Sequence, residues 1–372
     1  MKKYFGIIFA ICILVFSALL IVLPKQDFSE NENRYLEEFP NFNLDTLLDG
    51  SFMKDLEAYV QDHFPFRNLF VNVKSNVELS LGKTENNNVY IADNGYLIEK
   101  NEKTEEHRLD RIAMIISNLS KSAKNVNTTV MIVPTSITIN AKHLPKYAIE
   151  YSEVDRINHI YSKAENCTTI DMMSRLDELN QSGTQVYYKL DHHWTTRAAY
   201  EAYTSYIESI KGNVLPLSDF KEEVVTEDFY GTTYSKANLY NLQPDKITTY
   251  TNTNNIFEIH YIKLNETTDS FYNKEYLAKK DKYAMFLNGN QELIKINNKT
   301  INSDKNLLII KDSYANCFVP FVANNFKTTH VIDPRYYAKS ISEYIEENNI
   351  DEVLFLYNMH TLATDQGIFN IK

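Results

Sequence analysis

Two short runs in this sequence carry residue types that can do acyl-transfer chemistry together. Asp191-His192-His193-Trp194 holds a carboxylate, two imidazoles and the single Trp of the chain. Lys311-Asp312-Ser313-Tyr314 places a hydroxyl just after the apolar run Leu307 to Ile310. In an extended segment residues i and i+2 point the same way, so Asp191 and His193 are expected on one face and His192 on the other. Asp191 can then hold the His193 ring through its Nδ1–H. The free Nε2 is left to activate a hydroxyl, the division of labour of a Ser-His-Asp triad. Ser313 sits where a strand should turn sharply into a helix. Such a turn presents the hydroxyl at the sheet edge, and the backbone N–H groups that follow can stabilise an oxyanion. Each run also has a plainer reading. Asp191, Thr195 or Ser313 can serve as a helix N-cap, and Trp194 as a core residue. Asp191 and His192 also suit a metal-dependent phosphoesterase, which needs further carboxylates at other strand ends; Asp171 and Asp333 are the candidates.

The elements that must position these residues can be read from periodicity. Thr128 to Val133, Thr168 to Asp171, Val186 to Leu190, Leu307 to Ile310, His330 to Ile332 and Val353 to Tyr357 read as strands. Tyr151 to Ala164, Thr195 to Ile210, Ala315 to Asn325 and Ser340 to Glu347 read as helices between them. Alternating strands and helices predict a mostly parallel sheet covered on both faces, with the ligand beyond the carboxyl ends of the strands. Residues 247–300 differ: alternating β-type runs and Asn288-Gly289 predict an antiparallel insertion. Asn94-Gly95 predicts a hairpin within Val89 to Ile98. Phe52 to Leu81 predicts two helices broken at His63 to Arg67, around Pro65.

Composition narrows the possible functions. The chain has 372 residues and a formal net charge of -11, and its Lys and Arg form no cluster of the kind that neutralises a nucleic-acid backbone. Three Cys are too few for a disulfide scaffold, and no C-x-x-C or H-E-x-x-H run offers a zinc site. Neither a metal nor a soluble cofactor is called for by the motifs. Tyr4 to Leu23 is apolar over a length that spans a bilayer, and Lys2 and Lys3 precede it. A cytoplasmic N-terminus and an external body follow from the positive-inside rule. A cleaved signal peptide would want a small-x-small site, and none stands before Pro24. The expected division is an anchor over 1–23, a juxtamembrane linker with helices over 24–85, and a catalytic domain over 86–372.

The two motifs in this order, with the tail Ile332-Asp333-Pro334-Arg335-Tyr336, resemble the DHHW protein family. Asn31-Glu32-Asn33-Arg34 and Asp62-His63-Phe64-Pro65-Phe66-Arg67 also fit, so the resemblance covers most of the chain from about residue 30. That family is similar to the alginate O-acetyltransferases, which have an SGNH-hydrolase-like fold. Those enzymes carry Asp-x-His-Trp before the Ser motif, and the matching positions here are Asp191, His193 and Trp194. Two departures stand out. Lys311 replaces the usual Gly before Asp-Ser, and the Gly and Asn blocks of ordinary SGNH hydrolases are not identifiable, which leaves the Ser313 N–H as the one assigned oxyanion donor. The resemblance implies an α/β, three-layer SGNH-hydrolase-like fold with an antiparallel β insertion and an N-terminal transmembrane helix. It further implies a membrane-anchored, extracellular O-acetyltransferase acting on a polysaccharide acceptor, with Ser313, His193 and Asp191 as the triad. A multi-spanning membrane acyltransferase is the implied acetyl donor. Trp194, Arg335, Tyr336, Tyr357 and Asn358 are expected to line the substrate. The alternatives on the same residues are a carbohydrate O-acetyl esterase and a non-catalytic glycan-binding or assembly protein.

Overall fold

A computed structural model describes residues 2–29, 34–123, 126–239 and 242–371. The motif residues Asn31, Glu32 and Asn33 lie outside the described residues. The chain divides into two compact units, Met1–Asn87 with Tyr234–Leu242, and Asn88–Thr233 with Gln243–Lys372. In the first, the helix Lys2–Val22 is followed by helices Ser51–Asp62 and Arg67–Ser80. The break between the last two falls at His63–Phe66, as expected from Pro65, and Phe66 takes a left-handed φ of 59°. The segment Tyr4–Val22 is long and apolar enough to cross a membrane, with mean hydropathy 3.1 and nothing in it buried.

The second unit is built on an eight-stranded mixed sheet. In chain order its strands are β1 Asn127–Val133, β2 Thr168–Ile170, β3 Phe257–Tyr261 and β4 Glu266–Thr268. They continue as β5 Leu293–Asn298, β6 Asn306–Lys311, β7 Thr328–Ile332 and β8 Glu352–Asn358. The spatial order is β4-β3-β5-β7-β6-β8-β1-β2. The run β7-β6-β8-β1-β2 is parallel throughout. Strands β5, β3 and β4 extend it antiparallel from the edge of β7. The expected insertion is therefore real, and it continues the main sheet rather than forming a separate one. The first strand that reaches into the 247–300 range, Asp245–Thr251, instead pairs with Lys221–Phe229 outside that sheet.

Successive residues of β6 serve different cores. Leu307 and Ile309 join a cluster with Trp194, Tyr206 and Phe318, while Leu308 and Ile310 join one with Leu109, Ile116 and Ile157. This is why the strand is apolar without alternation: both faces of the parallel sheet are covered. Helix Glu106–Ser122 presents Leu109, Ile112, Ala113, Ile116 and Leu119 to one face at helical spacing. On the other face lies helix Thr196–Ser209, with Thr195 as its N-cap accepting from the Ala198 N–H.

Two expected elements take other forms. Val186 to Leu190 is not a sheet strand. It turns back on itself, with Thr195 N–H donating to the Val186 carbonyl at 2.8 Å and only an isolated bridge between Tyr187 and Trp194. The segment is apolar because Val186, Tyr187 and Tyr188 are buried as a loop, not because they pair. Ala315 to Asn325 is not one helix but a 3₁₀ turn Ser313–Cys317, a short helix Val319–Val322 and a second 3₁₀ turn. Pro320 has no N–H to offer the Asn316 carbonyl, so a continuous α-helix cannot form there. Asp171 caps helix Met172–Gln181, accepting from Met173 N–H at 2.9 Å and Ser174 N–H at 3.2 Å. Asp171→Ala is expected to lower stability by about 1 kcal/mol in denaturant unfolding. It should leave the Asp191, His193 and Ser313 side chains in place, since this carboxylate is spent on the cap.

Candidate active site

The tight loop that ends at Thr195 holds Asp191 and His193, both buried. Asp191 Oδ1 accepts from the His193 backbone N–H at 3.0 Å and lies 2.5 Å from His193 Nδ1. A carboxylate accepts only, so the Nδ1 proton points to Asp191 and Nε2 presents its lone pair. That Nε2 is 2.7 Å from Ser313 Oγ. Asp191 and His193 therefore share a side, but not because the segment is extended. A bend closes around the Asp191 side chain and turns the imidazole onto it. The second oxygen, Oδ2, accepts from Thr232 N–H and Thr232 Oγ1–H, each at 2.8 Å. Gly231 makes that approach possible: a Cβ there would lie 2.3 Å from both Cβ and Oδ2 of Asp191.

The imidazole is clamped by rings on its two sides. Tyr283 stacks on it at 3.7 Å with a 12° interplanar angle, and His192 lies against it at 3.9 Å and 37°. The expectation that His192 points away is thus corrected. Its Nδ1 is 3.0 Å from Thr232 Oγ1 and 3.8 Å from Asp191 Oδ2. Burial raises the Asp191 pKa, but the two neighbouring imidazoles and the His193 hydrogen bonds outweigh it and hold the carboxylate ionised. Burial lowers His193 to about 4, helped by His192 and opposed by Asp191. His193 is therefore a neutral base at ordinary pH.

Ser313 opens the turn after β6. It is not the cap of that turn: Asp312 is, accepting from Tyr314 N–H at 2.9 Å. The other Asp312 oxygen accepts from the backbone N–H and the side-chain Nδ2 of Asn358, at 2.8 and 2.7 Å. This ties the serine turn to the carboxyl end of β8. Two further bonds tie it to the histidine loop. Trp194 Nε1–H donates to the Tyr314 carbonyl at 2.9 Å, and Tyr314 Oη–H donates to the His192 carbonyl at 2.5 Å.

Lys311, in the place where the resemblance wants Gly, is wholly buried behind this turn. Its Nζ donates to Asn316 Oδ1 at 2.8 Å and Asn290 Oδ1 at 3.0 Å, and lies 3.5 Å from Asp333 Oδ2. Asp333 in turn receives Arg335 through Nε at 2.9 Å and a terminal nitrogen at 2.6 Å. The Asp-Pro-Arg-Tyr run is thereby fixed to the serine strand.

The expected substrate-facing residues divide. Trp194 is wholly buried, so its expected substrate contact gives way to a positioning role between the two motifs. Tyr357 is also buried, within the core on the Leu109 side of the sheet. Arg335 is held by Asp333, and Tyr336 is half exposed. Asn358 lines a small pocket beside His192, with Thr135, Ile137, Leu97 and His360 among its other walls. Buried Glu153 braces that wall by accepting from Thr135 N–H at 2.6 Å and Thr135 Oγ1–H at 2.9 Å.

The metal reading needs carboxylates to converge with His192. Ligand atoms of Asp191, His192 and His193 do lie within 4.8 Å of one another. Asp171, however, caps a helix and Asp333 is neutralised by Lys311 and Arg335. Both Asp191 oxygens are already engaged by Thr232 and His193. Cys167 and Cys317 are both free, and burial pushes the Cys317 thiol up to about 12. Sequence reasoning missed Tyr283, Gly231 and Thr232, and it gave Lys311 no part in a buried network. Tyr283 is one of 26 Tyr and stands out in no local pattern.

A mixed-sheet α/β unit with an Asp–His–Ser hydrogen-bonded chain beside a strand's carboxyl end defines the class: an α/β protein with a triad-like hydrogen-bond geometry. Within that class the chain belongs to the DHHW protein family, which it matches over residues 87–332. It is similar to the solved structure of a DHHW family protein from Eubacterium siraeum. The two are 25% identical with a TM-score of 0.65, over 77% of this chain and 96% of that one. Bacillus cereus PatB1, solved with a sulfonyl adduct, is 22% identical with a TM-score of 0.63, over 76% of this chain and 100% of that one, and shares the fold. Among curated proteins, the probable alginate O-acetylase AlgJ of Pseudomonas fluorescens is 22% identical over 190 residues, 49% of this chain and 48% of AlgJ. Its counterpart in Pseudomonas syringae is 24% identical over 203 residues. The chain spans about half the length of the curated relatives it matches.

Two outcomes follow from this geometry. Gly231→Ala should displace the Asp191 carboxylate and cut kcat/KM by about 10²-fold, with little change in far-UV circular dichroism. A pH profile of kcat/KM reports the free-enzyme base. Protonation below about pH 4 removes the His193 lone pair, so the rate should rise with pH through that value and then level off. An acid limb centred near pH 7 would contradict the buried, neutral imidazole.

Proposed function

We propose that this chain is a membrane-anchored O-acetyltransferase that acts outside the cell on a polysaccharide. The observation that carries the reading is the continuous chain Asp191 Oδ1–His193 Nδ1 at 2.5 Å and His193 Nε2–Ser313 Oγ at 2.7 Å. The partial likeness to the probable alginate O-acetylase AlgJ supports the acetyl group and the polysaccharide acceptor. On this reading residues 1–23 are the anchor, 24–85 the juxtamembrane segment and 86–372 the catalytic domain.

Ser313 Oγ attacks the carbonyl of an acetyl donor as its proton passes to His193 Nε2. Asp191 stabilises the imidazolium that forms, and the Ser313 N–H faces the developing oxyanion. His193 returns the proton to the leaving group, and an acetyl ester remains on Ser313. A sugar hydroxyl then attacks that ester while His193 takes its proton and passes it to the departing Ser313 oxygen. Asn358, Arg335 and Tyr336 are the groups we assign to the acceptor side. The donor is a membrane-spanning acyltransferase that delivers acetyl groups across the bilayer, in keeping with a cytoplasmic N-terminus before the apolar helix.

Incubation with an activated acetyl ester should leave a transient acetyl group on Ser313, detected by intact-protein mass spectrometry. Ser313→Ala should fold and acquire no label, and His193→Ala should lose several orders of magnitude in rate. Polysaccharide should speed loss of the label and receive it. Equal loss to water with or without glycan would make the protein an esterase. Absence of label in wild type with glycan still bound would make it a binding protein.

A further inference from the structure

The first unit carries an apolar surface that the proposed chemistry does not use. Helix Arg67–Ser80 exposes Leu69, Phe70, Val73 and Val77, and the turn before it exposes Phe64 and Phe66. Steps of three and four residues place Phe66, Leu69, Phe70, Val73 and Val77 on one stripe, while Val71, Ser75 and Leu79 on the opposite side are buried or half-buried. A stripe of this kind in water is costly, since each large apolar side chain gains free energy when it is taken out of water. Among Tyr4–Val22, the residues with partial cover are Phe16, Leu19 and Leu20, one side of the helix spaced i, i+3, i+4. Phe16 is in ring contact with Phe64 at 5.2 Å and Phe70 at 6.0 Å.

That contact sets a depth. Phe16 lies six residues before Val22, the end of the apolar span. At 1.5 Å of rise per residue it is about 9 Å below the outer end of that helix. Groups in ring contact with it share its depth. Amphipathic helices that lie in a membrane interface bury their apolar face about 5–10 Å into the headgroup and acyl boundary.

We propose that helix Arg67–Ser80 is a second membrane contact, lying in the outer-leaflet interface with its Phe70–Val73–Val77 stripe against lipid. This rests on the reading of Tyr4–Val22 as the anchor. The occupant is lipid rather than another protein because the stripe is continuous, through Phe64 and Phe70, with a helix whose own length and composition suit hydrocarbon. Lys74, beside the stripe, is exposed to water and lies 3.9 Å from Glu78, whose carboxylate is also 2.7 Å from Lys83.

The test uses the full chain reconstituted in phosphatidylcholine vesicles that carry bromine on the acyl chains. Single tryptophans are added and read as difference spectra against wild type, whose own Trp194 is buried. Val73→Trp should emit at blue-shifted wavelength and lose most of its intensity to bromolipid. Lys74→Trp, beside the stripe, should emit as in water and lose little. Phe9→Trp, within the span, reports the anchor. If Phe9→Trp is quenched and Val73→Trp is not, the interfacial helix is wrong and the anchor stands. If neither is quenched, the anchor reading itself fails. Should Val73→Trp stay exposed in lipid alone but become buried when a membrane protein from the same envelope is added, the stripe is a protein-docking face and the lipid proposal is overturned.

Discussion

The buried Asp191 carboxylate is the constraint around which the site is arranged. An ionised group taken out of water is tolerable only where its oxygens are filled by donors and a partner of opposite tendency is close. Here the donors come from two stretches of chain. The loop that carries Asp191 supplies the His193 N–H and imidazole, and a segment some forty residues later supplies Thr232. Gly231 must lack a side chain for that segment to come close enough. A site held by four such donors has one arrangement that satisfies the charge and many that do not. The same requirement that stabilises the carboxylate therefore fixes the direction of the imidazole.

The parallel sheet contributes the other half of the arrangement. Strand β6 is buried on both faces, so its carboxyl end is packed on either side, and the turn that follows starts from that packed end. Asp312 fastens the turn to β8 through Asn358, and Lys311 fastens it to the Asp333–Arg335 pair. Trp194 donates to the Tyr314 carbonyl and Tyr314 to the His192 carbonyl, which joins the serine turn to the histidine loop. Satisfied buried networks of this kind cost desolvation but leave few alternative geometries. The function of the single Trp is accordingly to keep two loops in register, with its indole N–H spent on a backbone carbonyl.

The insertion serves the site as well as the sheet. It supplies Tyr283, whose ring covers one side of His193, and His192 covers the other. Between two rings the imidazole is desolvated, which favours its neutral form and leaves it ready to accept a proton.

Much of the architecture was legible in the sequence because burial on a regular element leaves a periodic trace. The apolar run Leu307 to Ile310, the helix starting after Thr195 and the break at Pro65 are all local patterns with local causes. The apolar helix after Lys2 and Lys3 is of the same kind. The residue types Asp191, His193 and Ser313 could also be named, because their chemistry is a property of the side chains. What the sequence could not carry was proximity. Ser313 and His193 are 120 residues apart. Only the tertiary structure brings them within a hydrogen bond, turns Val186 to Leu190 into a loop instead of a strand, and faces His192 inward. Gly231, Thr232 and Tyr283 belong to this second group. Each acts through one close contact with a distant partner, and a single contact across space has no period along the chain.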